Sequence, residues 1–133
     1  MQSNTITLAV DTANSGTTTN QIYNRYTEKE NSSTYISSTH TLVSRDMIEF
    51  SRVFPTQSGN YRGVLRPSVK LTEDVTVPGV DATTTVVQPL IANLSFSIPV
   101  GTSAAATLEL RQRLLAILDN DVVMASLMNA LEI

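Results

Sequence analysis

The hydrophobic period changes within residues 86–118, VVQPLIANLSFSIPVGTSAAATLELRQRLLAIL, and this change indicates a strand followed by a helix. Up to Pro99 the period is two. One face carries Leu90, Ala92, Leu94, Phe96 and Ile98, and the other carries Ile91, Asn93, Ser95 and Ser97. Such alternation is typical of a β-strand. After Gly101 the leucines recur at helical spacing, and Thr102 or Ser103 can cap a helix that runs to about Leu118.

The C-terminal residues predict a second helix from Val122 to about Leu131, with Asp119-Asn120-Asp121 as connector and cap. Apolar residues cover nearly half the circumference of the first helix: Leu108, Leu110, Leu114, Leu115, Ile117 and Leu118. This arc is wider than one contact with a sheet requires. The first helix is therefore predicted to pack on two surfaces.

The residues before Val86 predict further short strands separated by polar turns. These strands are expected near Thr5–Asp11, Thr18–Tyr26 and Tyr35–Leu42, with a polar loop at Glu28–Ser33. The clearest hairpin joins Arg45–Phe54 to Tyr61–Thr72 through Pro55-Thr56-Gln57-Ser58-Gly59-Asn60. Glu73–Thr85 is expected to form a short strand and an exposed loop.

Strands first and helices last predict one α+β domain over residues 1–133. Its β region is expected at about residues 5–99 and its helices at about residues 102–131. With helices on one face of the sheet, the other face must be solvated or bind something.

The composition limits the kinds of functional site that the chain can form. The 133 residues include one histidine, His40, and no cysteine, so disulfides and thiol nucleophiles are excluded. A metal site or a histidine-assisted nucleophile would need an unusual constellation, and no metal or cofactor is expected. No apolar stretch approaches the ~18 residues of a membrane span, and the first twenty residues predict no secretory signal.

The charges are unevenly distributed. The net charge is −3, yet residues 45–70 carry five basic and only two acidic residues. Alternation within Tyr61–Thr72 places Arg62, Val64, Arg66, Ser68 and Lys70 on one face. This face is either a solvated surface with solubility charges or a surface that binds phosphates.

In order of elements and in length, the chain resembles the coat proteins of single-stranded RNA bacteriophages, the levivirus-like family. The segment Ala92-Asn93-Leu94-Ser95-Phe96-Ser97-Ile98-Pro99 is similar to the family's last strand. Tyr61-Arg62 with its basic strand is similar to the family's Arg/Lys/Tyr strand. Val77-Pro78-Gly79-Val80 occupies the position of the loop between the last two strands.

The resemblance implies an N-terminal hairpin, a five-stranded antiparallel sheet and two helices, with the sheet continued across a homodimer. It implies a non-enzymatic subunit of an icosahedral shell that binds single-stranded phage RNA, as a hairpin whose binding represses translation. No membrane partner is implied. The protein would be assembled in the bacterial cytoplasm and reside in the virion.

The implied RNA-binding residues combine the basic strand with its neighbours: Arg45, Ser51, Arg62, Arg66, Ser68, Lys70, Asn93 and Ser95. Asn93 matches a family contact position. Ile91 stands where the family often has an aromatic residue that stacks a base. By alternation Glu49 shares the face of Arg45 and Ser51, where it would oppose phosphate.

The alternative is a structural β-module without RNA, such as a pilus, adhesin or tail component. It accounts for the Thr- and Ser-rich strands and the acidic isoelectric point. It does not account for the basic segment or the apolar helices. An enzyme is not expected, because no catalytic constellation is present.

Overall fold

The computed structural model describes residues 3–81 and 83–130, which form two compact units. The larger unit, Met1–Pro55 with Leu65–Ser97, is an antiparallel sheet. Its strands follow chain order across the sheet: β1 (Thr5–Val10), β2 (Thr19–Lys29), β3 (Ser32–Ser37), β4 (Asp46–Val53), β5 (Val64–Pro78) and β6 (Thr85–Ser95). Each strand therefore pairs with its neighbour in sequence, as local hairpins do.

The smaller unit, Thr56–Val64 with the chain from Ile98 onward, contains the helices. It comprises β7 (Ile98–Pro99), α1 (Ala104–Leu118), α2 (Asp121–Ala125) and a π-helical turn (Ser126–Ala130). The Ser103 hydroxyl accepts the Ala106 N–H at 3.2 Å, and the Asn120 side chain accepts the Val123 N–H at 3.2 Å. Both side chains satisfy backbone donors that a helix start leaves unpaired.

Cross-strand register defines two faces of the sheet, because directly opposed residues project to the same side. Tyr35, Ile48, Leu71 and Ala92 follow one another across β3–β6 and define the apolar face. Thr34, Glu49, Lys70 and Asn93 follow one another on the other side and define the polar face.

The core of the sheet unit lies on the apolar face. Tyr23, Tyr35 and Ile48 are buried, and Ile6, Phe50 and Val69 pack against them. The Tyr35 and Phe50 rings meet edge to face, with centroids 5.6 Å apart. The Tyr35 hydroxyl donates to the Ser3 carbonyl at 2.6 Å, so this fully buried ring has a polar partner.

The predicted α+β class, the hairpin start and the two C-terminal helices are confirmed. The N-terminal hairpin is β1 with β2, and it is hydrogen-bonded to the rest of the sheet. Ser103 and Asn120 are the helix caps expected from the sequence. Leu131, the predicted end of the second helix, lies outside the described residues.

Several predicted boundaries are wrong. Only Glu30 and Asn31 of the expected loop Glu28–Ser33 lie between β2 and β3, because β2 continues to Lys29 and β3 begins at Ser32. β3 ends at Ser37 instead of Leu42. Glu73–Thr85 contains a strand and an exposed turn as predicted, but its strand is the end of β5, which continues to Pro78. The turn that follows is closed by the Asp81 carboxylate, which accepts the N–H groups of Thr83 and Thr84.

Tyr23 anchors a polar network at the margin of the core. Its hydroxyl donates to Asp46 Oδ1 at 3.1 Å, and the Thr39 hydroxyl donates to Asp46 Oδ2 at 3.1 Å. The Asp46 N–H donates to His40 Nδ1 at 3.2 Å, so the single histidine serves as a backbone acceptor. Burial, and then the nearby Asp46 carboxylate, raise the pKa of Tyr23 to about 12.

The raised pKa of Tyr23 predicts a loss of stability at alkaline pH. The folded state holds the proton up to about pH 12, whereas an unfolded tyrosine releases it near pH 10. The free energy of unfolding should therefore fall as pH rises between these values. Tyr23→Phe should flatten this part of the pH profile and cost about 1 kcal/mol at neutral pH, because it removes the hydrogen bond to Asp46.

Chemical denaturation at fixed protein concentration tests this prediction. Tyr26→Phe is the control, because Tyr26 is 68% exposed. An alkaline loss of stability that is equal in the wild type and in Tyr23→Phe would contradict it.

Candidate nucleic-acid interface

The polar face of the sheet brings together six of the eight predicted site residues on three adjacent strands. These are Ser51 on β4, Arg66, Ser68 and Lys70 on β5, and Asn93 and Ser95 on β6. The predicted alternation of β5 and β6 produces this result, since both strands keep their period through the paired region. None of these six side chains is buried.

A row of hydroxyl groups crosses this face. Ser95 pairs with Ser68, Ser68 with Ser51, and Ser51 with Ser32. The hydroxyls of Ser51 and Ser68 are 2.6 Å apart, so one donates to the other. Hydroxyls can donate and accept, and they therefore suit both phosphate oxygens and ribose hydroxyls.

The next row of the polar face carries charges. Asn93 pairs with Lys70, and Lys70 pairs with Glu49. Neighbours in such a row have Cβ atoms about 5 Å apart, so Lys70 lies within reach of both side chains. The row beyond it is more apolar, with Ile91, Thr72 and Met47 in register. No aromatic side chain occupies that row on β4–β6, all of whose residues are described.

The start of β5 lies between Arg62 and Arg66, the two arginines that the sequence placed on one basic strand. Arg66 is exposed on β5 opposite Val53. Arg62 lies before β5, which begins at Val64, and belongs to the smaller unit. The residue between them, Gly63, has φ of +89°, a left-handed conformation that interrupts the alternation. The predicted alternation therefore holds from Val64 onward and does not extend to Arg62.

Arg45 is engaged by a carboxylate. Its guanidinium donates to both oxygens of Asp74, at 2.9 and 3.0 Å, and its backbone N–H donates to the same side chain at 2.9 Å. The Asp74 side chain is 6% exposed and that of Arg45 48% exposed. Hydrogen bonds from the Arg45 guanidinium, and then from its backbone N–H, hold the pKa of Asp74 below its usual range. Arg45 is thus a partly neutralised cation.

Register also separates the charges of the two sheet faces. In the described strands β2–β5, the apolar face carries three acids and two bases: Glu28, Asp46, Glu73, Arg25 and Arg52. On the polar face Lys29, Arg66 and Lys70 accompany Glu49 and the paired Asp74. Cations therefore predominate on the face that the sequence predicts to bind phosphates.

The polar face also carries Lys29 and Ser32, which were not predicted to belong to it. They pair with each other at the end of β2 and the start of β3, in line with the serine row. The sequence assigned both residues to a loop, so their alternation was not considered. A strand extended to Lys29 would have placed them correctly.

Other kinds of site have less support. A cavity of about 280 Å³ lies beside the β2–β3 turn, lined in part by Glu28, Ser33, Phe50 and Arg52. Among residues 3–81 and 83–130, no three metal-ligating side chains are grouped to hold an ion. In the same part of the chain, no helix is long and apolar enough to cross a membrane.

The chain is similar to known proteins in structure but not in sequence. No protein-family model and no curated protein sequence matches it. The virus-like particle of bacteriophage AVE019 aligns over 100% of this chain and 99% of its own, with a TM-score of 0.80 and 17% identity. That of Wenzhou levi-like virus 4 covers 96% and 86%, with a TM-score of 0.72 and 20% identity.

A third solved structure, the coat protein of bacteriophage EMS014, covers 88% of this chain and 74% of its own. Its TM-score is 0.62 at 14% identity. Identities this low show the architecture alone, and the architecture agrees over the sheet and the helices. The chain therefore has the fold of the coat proteins of levi-like phages.

Proposed function

We propose that this protein is the coat subunit of a single-stranded RNA phage and binds RNA on its polar sheet face. The observation that supports the RNA site is the clustering of Arg66, Lys70 and Asn93 with the serine row on one exposed surface. The virus-like particles with the same fold support the shell. Assembly in the bacterial cytoplasm and repression of translation by hairpin binding belong to the same proposal.

A homodimer is the first step of the proposed assembly. Among the described strands β6 pairs with β5 alone, so its eleven residues present a free edge. Long free edges with apolar side chains are prone to pair with another strand. A second β6 would continue the sheet across the dimer.

Exposed apolar side chains also favour a dimer. On the apolar face Val86 is 43% exposed and Leu90 is 55% exposed. In α1, every residue of which is described, none is buried. Contact with a second subunit would remove this surface from water, at about 25 cal/mol for each Å² buried.

RNA binding on the polar face follows from elementary electrostatics. Arg66 can hold a phosphate through two N–H groups, and Lys70 can act as a point charge. Each neutralised phosphate releases counterions, which makes binding dependent on salt. Arg62 and Arg45 remain candidates, although Arg62 precedes β5 and Arg45 is held by Asp74.

The dimer should be obligate. A lone subunit would expose the β6 edge together with the apolar surfaces described above. In a buffer that dissociates the shells, sedimentation of the protein at micromolar concentration should give dimers and no monomers. A stable folded monomer would contradict this prediction.

Replacing one cation of the polar face should weaken binding to every RNA. Arg66→Ala or Lys70→Ala should lower the slope of log affinity against log salt by about one unit for each phosphate that is no longer neutralised. Arg52→Ala is the matched control, because Arg52 lies on the apolar face and stacks 5.0 Å above Phe54. Filter binding across salt concentrations measures these slopes. Equal slopes for wild type and both variants would show that RNA binds elsewhere.

Asn93→Ala should act on specificity. An amide contacts a base or ribose through both a donor and an acceptor, whereas phosphate contacts position the RNA. The variant should lose its preference for the cognate hairpin over scrambled RNA and keep the wild-type salt slope. An unchanged preference would remove Asn93 from the site.

Arg45→Ala should affect stability more than RNA binding. It removes the guanidinium that donates to both oxygens of the largely buried Asp74 carboxylate and leaves it only the backbone N–H of residue 45, so the folded state loses stability. The melting temperature should fall while the salt slope changes less than for Arg66→Ala. A large change in slope with unchanged melting would instead make Arg45 a principal phosphate ligand.

A further inference from the structure

Glu49 is an acid in the middle of the predicted RNA surface. It is exposed on β4, between Thr34 and Lys70 in register. The other acid of this face on the described strands β2–β5, Asp74, is neutralised by Arg45. Within residues 3–81 and 83–130, the Glu49 carboxylate has neither a hydrogen bond nor an ion pair within 4.0 Å.

Among the described residues no ion pair explains this carboxylate, because its cross-strand neighbour Lys70 does not come within 4.0 Å of it. It caps no helix, contributes to no core and closes no turn. A free negative charge on a surface that binds phosphates weakens that binding by like-charge repulsion. RNA that occupies the face must therefore present something other than a phosphate at Glu49.

The chemistry of a carboxylate restricts its RNA partner. An ionised carboxylate only accepts hydrogen bonds, so it requires a donor. Unpaired adenine, cytosine and guanine offer an exocyclic amino group on the Watson–Crick edge. Uracil offers one N–H between two carbonyl oxygens, which repel a carboxylate. In adenine and cytosine, Lys70, adjacent in register, can donate to the ring nitrogen beside the amino group. In guanine that nitrogen carries a proton and would donate to the carboxylate.

We propose that Glu49 is a specificity-determining residue that accepts a hydrogen bond from the amino group of an unpaired base and disfavours uracil there. This inference rests on the proposed RNA-binding function. Asn93 lies two strands away in the same row, about 10 Å from Glu49 at the spacing of sheet neighbours. Glu49 and Asn93 would then contact bases, and the serine row and Arg66 would contact the backbone. Lys70 lies between Glu49 and Asn93 and has three N–H donors, so it can serve a base and a phosphate.

Selection of RNA hairpins from a random library tests the role of Glu49. The wild-type dimer should enrich hairpins in which one unpaired position excludes uracil. Glu49→Gln should admit uracil at that position, because an amide can also donate to a carbonyl oxygen. Glu73→Gln is the matched control, since Glu73 is an exposed acid on the apolar face.

A second measurement uses the unaltered protein. Replacing the selected base by uracil should weaken wild-type binding about tenfold, the discrimination typical of one good base contact. The same replacement should change binding to Glu49→Gln by less than about twofold, because the amide accommodates either base. The wild-type half of this test does not depend on how the variant folds: equal wild-type binding to both RNAs would overturn the inference by itself.

The outcomes separate this inference from the proposed function. Wild-type enrichment of a hairpin with the same base preferences in Glu49→Gln would overturn the role of Glu49 alone. If Glu49→Gln no longer discriminates against RNA with a 2′-deoxy substitution but keeps the wild-type base preference, Glu49 contacts a ribose. That result would also overturn the proposed base contact. A wild-type protein that enriches no RNA would overturn both proposals.

Discussion

The antiparallel register of β4, β5 and β6 determines which side chains lie on each face of the sheet. Lys70 pairs with Glu49 on one side and with Asn93 on the other, while Leu71 pairs with Ile48 and Ala92. A slip of one residue would exchange the faces and place Lys70 where Leu71 packs. The same hydrogen-bond ladder thus separates the apolar core surface from the polar surface and sets which polar side chains are neighbours.

The fold leaves more apolar surface exposed than a small monomer normally tolerates. Tyr23, Tyr35 and Ile48 are the described hydrophobic residues that are buried, in a chain of 133 residues. On folding, domains of this size usually bury about two-thirds of the surface that the unfolded chain exposes. The exposed side chains of β6 and α1 would supply the missing burial in a dimer, so folding and assembly would be one process.

The sequence predicted the order of elements well because the periods are clear: two in β5 and β6, and helical spacing after Gly101. Asn93 and Lys70 were correctly assigned to one face by alternation. The alternation was extended too far at Arg62, because the left-handed Gly63 that precedes β5 leaves no trace in the hydrophobic pattern. The Arg45–Asp74 pair was also beyond sequence reasoning, since it joins residues 29 positions apart through a register that only the folded sheet fixes.

A closed shell of this chain should carry RNA against the polar sheet face. Electron cryo-microscopy of particles formed by this chain in bacteria tests both parts of this proposal. We expect closed shells built from dimers with continuous sheets, and RNA density on the surface of Lys70 and Asn93. Closed shells with this surface facing outward, or RNA density confined to other surfaces, would contradict it.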